Sequence, residues 1–321
     1  MNTLHRRRII DFAEALTLSL LLEASAYPKP GNVHRLRDRV KLRYEAFLVT
    51  GVFAYKYFKR GIVRGLRGHR RIVLGDLVYR LIRDVIERVN SSNTCLGSSL
   101  LLSLLSVSAG KCIANTCSNI EDLVKYSRDI IASTTVLDSI YYYKAVRLAS
   151  PSYIKPDDYT EEYVNVWDPD FEEKLKKRGH KLYDVLLYSS RFNIVASEAV
   201  EGFPRGLEAE YFLRSRIHVN RELNKSIVET YLYLLSKHLD TIILLKHGYN
   251  TAIEVSQKAL ITLNKILNTE YNWKDIVFEL DREFYEKDLN PGAIADLVAE
   301  TLALYMFKNI LNNSKLLDLS Y

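Results

Sequence analysis

The chain reads as an all-α protein, one compact domain of about a dozen helices over residues 1–321, and three observations lead there. Apolar residues recur at helical spacing along nearly the whole length. Strand-like alternation between turn signals is almost absent. All seven prolines fall at helix edges or in connections.

The first helix, expected over 3–26, sets Ile9, Phe12, Leu16 and Leu20 on one face. Its basic head and apolar middle imitate a secretion signal, but Asp11, Glu14 and Glu23 interrupt the apolar run, so an amphipathic helix is the better reading. It runs out into Pro28, Pro30 and Gly31, a helix stop. Helices follow over 43–60 and over 73–90, the second on Leu74, Leu77, Leu81 and Val85. The next, 95–110, starts behind Asn93 or Thr94 as cap, and its apolar run to Val107 falls short of the ~20 residues that cross a bilayer core. After helices over 119–132 and 135–149 comes one long irregular stretch, Ser150 to Asp170. With Pro156, Tyr153, Tyr159, Tyr163 and Trp167 it reads as a lid or wall over a site. Helices over 181–201, 207–217, 223–246, 249–268, 272–286 and 292–313 complete the chain. Leu232, Leu235, Leu239 and Ile242 carry the third of these, and the last starts with Asn290 as cap and Pro291 in the first helical position. Neither a solenoid repeat nor a low-complexity linker divides the chain.

Lysine and arginine exceed aspartate and glutamate by six, and they bunch in His5 to Arg8 and Lys59 to Arg71. Such clusters suit an anionic ligand, and they suit a solvated basic face equally well. A single glutamine and two methionines beside abundant Tyr, Arg, Lys and Ile fit a protein from a hot environment. The three cysteines, Cys95, Cys112 and Cys117, include no CxxC pair, so neither a disulfide framework nor a zinc site is expected, and a reduced, cytoplasmic protein is the simplest reading. The histidines show no paired ligand spacing, and no glycine-rich loop fits a dinucleotide or P-loop pattern.

Three stretches share a polar or Pro/Gly corner followed directly by an apolar helix: "KPGNVHR", "NTCLGSSLLLSLL" and "LNPGAIADLVAETLAL". Helix starts of this kind offer free N–H groups and a positive dipole end to phosphate. Lys29, Asn32, His34 and Arg35 add polar and basic groups to the first corner. Glu23, Asp138, Glu198, Asp240 and Asp296 each lie in an apolar helical neighbourhood, which implies either ion-pair partners or a cation. Both readings stand: internal pairs such as Asp138 with Arg147, or inward carboxylates holding Mg²⁺ on a polyphosphate.

Taken together, "EASAYPKPGNVHR", "NTCLGSSLLL", "TTVLDSIYYYKAVRLASP", "HLDTIILLKHG" and "LNPGAIADLVAETLAL" resemble the triphosphoribosyl-dephospho-CoA synthase family, in order and spacing from Glu23 to Leu304. The resemblance implies an all-α transferase in which the 2′-hydroxyl of 3′-dephospho-CoA attacks C1′ of ATP and adenine leaves. The product is the prosthetic-group precursor of citrate lyase or malonate decarboxylase carrier proteins. Carried over motif by motif, it implies Lys29, Pro30, Gly31, Asn93, Thr94, Gly97, Lys246, Gly248, Asn290 and Gly292 as nucleotide-binding, beside Pro291, and the polar and basic groups of the first corner add Asn32 and Arg35. Glu23, Asp240 and Asp296 carry over as catalytic carboxylates, the reading of the residues adds Asp38 and Asp138, and Asp138, Asp240 and Asp296 are the candidates for Mg²⁺.

The chain departs from the family after the Pro-Lys-Pro-Gly turn, where "RLRDRVKLRYEAF" replaces a Gly-x-His-x-Asp-Met motif. Either Asp38 or Glu45 takes over that acid, or the acceptor differs, or turnover is lost. Cys95 also stands where asparagine is common, and Asn193 where an aspartate is expected. The leading expectation is an ATP- and Mg²⁺-dependent ribosyl transferase acting on dephospho-CoA or a related nucleotide, without membrane or nucleic-acid partners, as a homodimer. A nucleotide-binding protein without turnover, and a nucleic-acid binder using Arg67, Arg70 and Arg71, are the competing readings.

Overall fold

Residues 3–69, 71–155, 162–268, 272–312, 315–317 and 319 are described by a computed structural model; Arg70, Pro156 and Tyr159 lie outside them. Among the described residues there are fifteen helices and no strand beyond two isolated bridges, which establishes the all-α class. In chain order they are α1 (Thr3–Ser25), α2 (Tyr44–Arg67), α3 (Gly75–Val89), α4 (Leu96–Ala114), α5 (Ile120–Ala132), α6 (Val136–Ala149), α7 (Phe171–Arg178), α8 (Leu182–Ser189), α9 (Ile194–Glu201), α10 (Pro204–Asn220), α11 (Leu223–Lys237), α12 (Thr241–His247), α13 (Tyr249–Leu267), α14 (Trp273–Glu286) and α15 (Gly292–Leu311).

Two helices, α4 and α15, are apolar on nearly every side and buried almost throughout, as a central helix must be. Around them pack α1, α2, α5, α10 and α11, whose polar faces look outward. α4 is longer than expected. By length and composition it could cross a membrane, but 89% of its apolar window is buried inside the protein. α2 runs past its expected end at 60 because its glycines serve packing: a Cβ on Gly65 would press on the Val107 carbonyl, and one on Gly110 of α4 on the Ile62 carbonyl. The two backbones therefore meet across glycines, and their contact outweighs the ~1 kcal/mol that a mid-helix glycine costs.

Two expected helices are each split by a capping side chain. Within 181–201 the chain turns at Asn193, whose Oδ1 accepts the N–H groups of Val195 (3.0 Å) and Ala196 (3.1 Å) and starts α9. Within 223–246 it breaks at His238, and Asp240 starts α12 by accepting from Ile242 (2.9 Å) and Ile243 (3.0 Å). Caps satisfy donors that an apolar period does not reveal. The unexpected α7 carries Glu172 and Glu173 in its first turn, Lys176 to Arg178 in its last and Gly179 beyond, a charge order that suits the helix dipole. Cys112 and Cys117 form a disulfide from the end of α4 to the turn after it, against the expectation of none; Cys95 is free and buried.

Where α10 crosses α15, Glu300 is completely buried and no N–H or O–H donor reaches either of its oxygens. Glu198 takes the donors instead: Arg205 N (2.7 Å), Gly206 N (2.8 Å) and Arg205 Nη1 (2.8 Å). Burial, then the Glu198 charge, hold Glu300 well above the usual carboxyl range; Arg205 opposes them and Asp296 adds to them. A raised carboxyl stabilises the fold below its unfolded pKa, and that contribution is lost as pH rises towards the folded one. Glu300→Gln should thus flatten the fall of Tm as pH rises above the ordinary carboxyl range, with little change at pH 4. An unaltered Tm–pH curve would contradict a neutral Glu300.

Candidate functional site

The exit of α1 is fastened on several sides. Tyr231 donates to the Pro30 carbonyl (2.8 Å), and Gly31 N–H donates to Asp281 of α14 (3.0 Å). Gly31 has φ +73° and its missing Cβ leaves room for the Leu289 carbonyl, so glycine is required there. Lys29, wholly buried, points inward, pairs with Glu23 of α1 and donates to Asn32 Oδ1 (3.3 Å). Asn32 in turn donates to Asn290 Oδ1 (3.0 Å), which ties this exit to the start of α15.

Beside this knot lies a cavity of about 650 Å³ between the exit of α1, the starts of α4 and α15, α12, and the segment after α6. Glu23, Asn32, Asn93, Thr94, Gly97, Lys246, Asn290, Gly292 and Asp296 line it, so these expected residues converge from four parts of the sequence. Ser150 to Tyr153 form one wall, as expected of the irregular stretch. Its later aromatics pack elsewhere: Tyr163 against His180 and Tyr188, and Trp167 with its indole N–H on the Ile154 carbonyl.

Asp296 sits one turn into α15 and enters the first turn of α4, accepting from Ser98 N–H at 2.8 Å. Gly97 permits this approach, since a Cβ there would collide with the carboxylate. A helix start favours an ionised acid, yet burial and the charges of Glu23 and Asp240 push Asp296 up to about 7. Burial likewise pushes Glu23 up and Lys29 down, each resisted by the charge of the other.

Several expected site residues have other work. Asp138 lies outside the cavity lining, not with the catalytic groups: it joins the starts of α3 and α6, accepting from Val73, Leu74 and Gly75 N–H and from Thr135, and Arg147 bonds to the Val166 and Asp168 carbonyls instead. Asp240 is also outside the lining; beyond its two α12 donors it accepts Ile294 N–H (2.9 Å), so it caps α12 and α15 together, and burial pushes it up to about 6. Asn290 and Pro291 therefore differ from expectation: Pro291 precedes the helix, and the Asn290 side chain meets Asn32. Asp38 accepts from Tyr44 N–H at the head of α2. Arg35 donates to the Ser25 carbonyl and to Asn224 and lies over the Tyr27 ring, away from the cavity. Pro30, Gly31, Lys29 and Gly248 are not in the lining either. Asp138, Asp240 and Asp296 thus do not form the expected Mg²⁺ cluster, and among the described residues no group of three metal-ligating side chains exists.

The lining also holds Arg39, Lys41 and Asp288, which motif reading passed over. The only signal for the first two was the basic alternation in "RLRDRVKLR".

An all-α fold that gathers buried acids, capped helix starts and cationic side chains around one cavity is that of an enzyme handling a phosphorylated substrate. The chain belongs to the ATP:dephospho-CoA triphosphoribosyl transferase family, whose description matches residues 10–315. That family transfers the triphosphoribosyl group of ATP to dephospho-CoA, and the chain is accordingly a transferase with ATP as substrate. Among solved structures it is similar in fold to one named "putative triphosphoribosyl-dephospho-coA synthase" from Archaeoglobus fulgidus, at 24% identity and a TM-score of 0.61, over 81% of this chain and 97% of that one. None of the curated proteins matches the chain.

Proposed function

We propose that Asp296 and Glu23 divide the proton transfers of a ribosyl transfer from ATP to the 2′-hydroxyl of 3′-dephospho-CoA or a closely related nucleotide. Asp296, neutral below about pH 7, gives its proton to the departing adenine as the C1′–N bond breaks. Glu23 takes the proton of the attacking hydroxyl as the new C1′–O bond forms. Each carboxyl thus ends in the other's starting state, and water restores both. Positive charge grows on the sugar between the two steps, as in glycoside cleavage, and the ionised acid supports it.

The observation that carries this reading is the pairing in one cavity of an acid raised to about 7 with a second carboxylate held by a buried lysine. Mg²⁺ would enter on the triphosphate with phosphate and water as ligands, because the side chains build no cluster for it. The cytoplasm is the proposed compartment; a disulfide is compatible with it in proteins of hot environments.

Purified protein with ATP, Mg²⁺ and dephospho-CoA should release adenine in step with acceptor consumption, read by chromatography, and little without acceptor. No adenine from metal-loaded protein would exclude dephospho-CoA as acceptor. The altered segment after the Pro-Lys-Pro-Gly turn favours one second reading, a nucleotide sensor; tight ATP binding by calorimetry with no adenine from any acceptor would select it.

A further inference from the structure

The segment that departs from the family is built as an arm. Residues 34–42 form two successive tight turns, closed by mutual bonds between His34 and Arg37 (3.1 and 2.8 Å) and between Arg39 and Leu42 (2.9 Å each). One face of α14, extended through its C-terminal turn, pins the arm at helical spacing: Asp281, Tyr285 and Asp288. Asp281, fully buried, meets His34 Nε2 (3.2 Å) and Arg37 Nε (3.1 Å). Arg37 and Arg39 both lie over the Tyr285 ring, 4.9 and 5.6 Å from its centre, and Arg39 pairs with Asp288 while donating to the Gly31 carbonyl (2.6 Å).

The arm's arginines at 35, 37 and 39 are thereby engaged by the protein itself. At the tip, Val40 is 84% exposed, and Lys41 lines the cavity with no bonded or ion-paired partner among the described residues. Lys41 also has φ 68°, a conformation that costs a side-chain-bearing residue and suits glycine. Lys246 of α12 is the second lining cation without a partner among the described residues.

Two groups of lining residues matter to the substrates: the exit of α1 and the arm bring Glu23, Asn32 and Lys41, and α12 and α15 bring Lys246, Gly292 and Asp296, with the start of α4 and residues 150–153 completing the lining. We infer that the arm is the acceptor side, on which Lys41 binds a phosphate of the incoming nucleotide while Lys246 faces the triphosphate of the donor. The inference rests on the proton roles proposed above, since the acceptor must present its hydroxyl to Glu23 and the donor its adenine to Asp296. A charged hydrogen bond to a pinned arm gives the acceptor an anchor independent of the donor.

The test varies ATP and dephospho-CoA separately in adenine-release assays of the wild type, Lys41→Ala, Lys41→Arg and Lys246→Ala, with calorimetry of dephospho-CoA binding to each. Lys41→Ala should raise the KM for dephospho-CoA about ten-fold or more, with the KM for ATP moving less than about two-fold, and Lys41→Arg should recover most of the loss. Lys246→Ala should show the opposite split. A Lys41→Ala protein whose ATP KM rises instead, or neither of whose KM values moves, overturns the inference while leaving the transferase reading intact. Wild type that binds dephospho-CoA through Lys41 yet releases no adenine overturns its turnover as acceptor and leaves the arm's phosphate site standing. Wild type that neither binds nor turns over dephospho-CoA overturns both the Lys41 anchor and dephospho-CoA as acceptor.

Discussion

Asp296→Asn should lower adenine release by about 10²–10⁴-fold, the usual span for loss of a general acid, and should at the same time make the protein more stable above neutral pH. Both effects follow from one carboxyl. In the folded protein Asp296 titrates at about 7 against an ordinary 3.8, because burial and the neighbouring Glu23 and Asp240 oppose its charge. The sign follows from linkage: the group stabilises fully below 3.8, and that contribution is lost as pH rises through about 7. Above pH 7 its ionisation costs up to about 4 kcal/mol at ~1.4 kcal/mol per pH unit. Asparagine keeps an oxygen for the Ser98 N–H but cannot ionise, so the variant should melt above the wild type at pH 8 and together with it near pH 4. The wild-type kcat/KM should likewise fall through an alkaline limb near pH 7. A variant that loses activity and melts lower at every pH would make Asp296 a structural residue.

The second large effect belongs to Lys29, expected from sequence to hold phosphate and found instead as the buried partner of Glu23. Lys29→Met removes the cation and leaves Glu23 uncompensated beside Asp296, which should cost about 3–5 kcal/mol in denaturant unfolding. Glu23→Gln leaves the lysine charge buried and should cost a similar amount. The double variant removes both charges and should recover most of the loss, a coupling of about 2 kcal/mol or more between residues in contact. Strictly additive losses would mean that the pair is not the unit. Activity should not return with stability, because the double variant lacks the carboxylate assigned to the acceptor's proton.

These two residues also mark how far a sequence can be read. The motifs around Glu23, Asn93, Lys246, Asn290 and Asp296 announce a site, and these residues do meet around one cavity. Asp138 and Asp240 looked the same in sequence, an acid in an apolar helix. The difference is what reaches them: Asp138 receives five donors from two helix starts, and Asp240 joins α12 to α15. The donors that set them apart, Val73, Leu74 and Gly75 for Asp138 and Ile294 for Asp240, are backbone groups distant in sequence, carried by residues of any type, so no pattern of side chains betrays them. Lys29 against Lys41 is the mirror case. The lysine inside the motif is buried in a pair, and the one in the unfamiliar segment faces the cavity.

The sequence by itself determined the all-α class, the order of the helices and the residue types gathered at the site, because helical periodicity and capping residues are local and a family motif is a string. Only the tertiary structure decided which of five similar carboxylates line the cavity, that α2 and α4 cross over glycines, and that the arm hangs from α14. Those outcomes depend on burial and on donors brought together across as many as 250 residues, between Gly31 and Asp281 for one, and electrostatic cost is set by that enclosure rather than by neighbours in the chain.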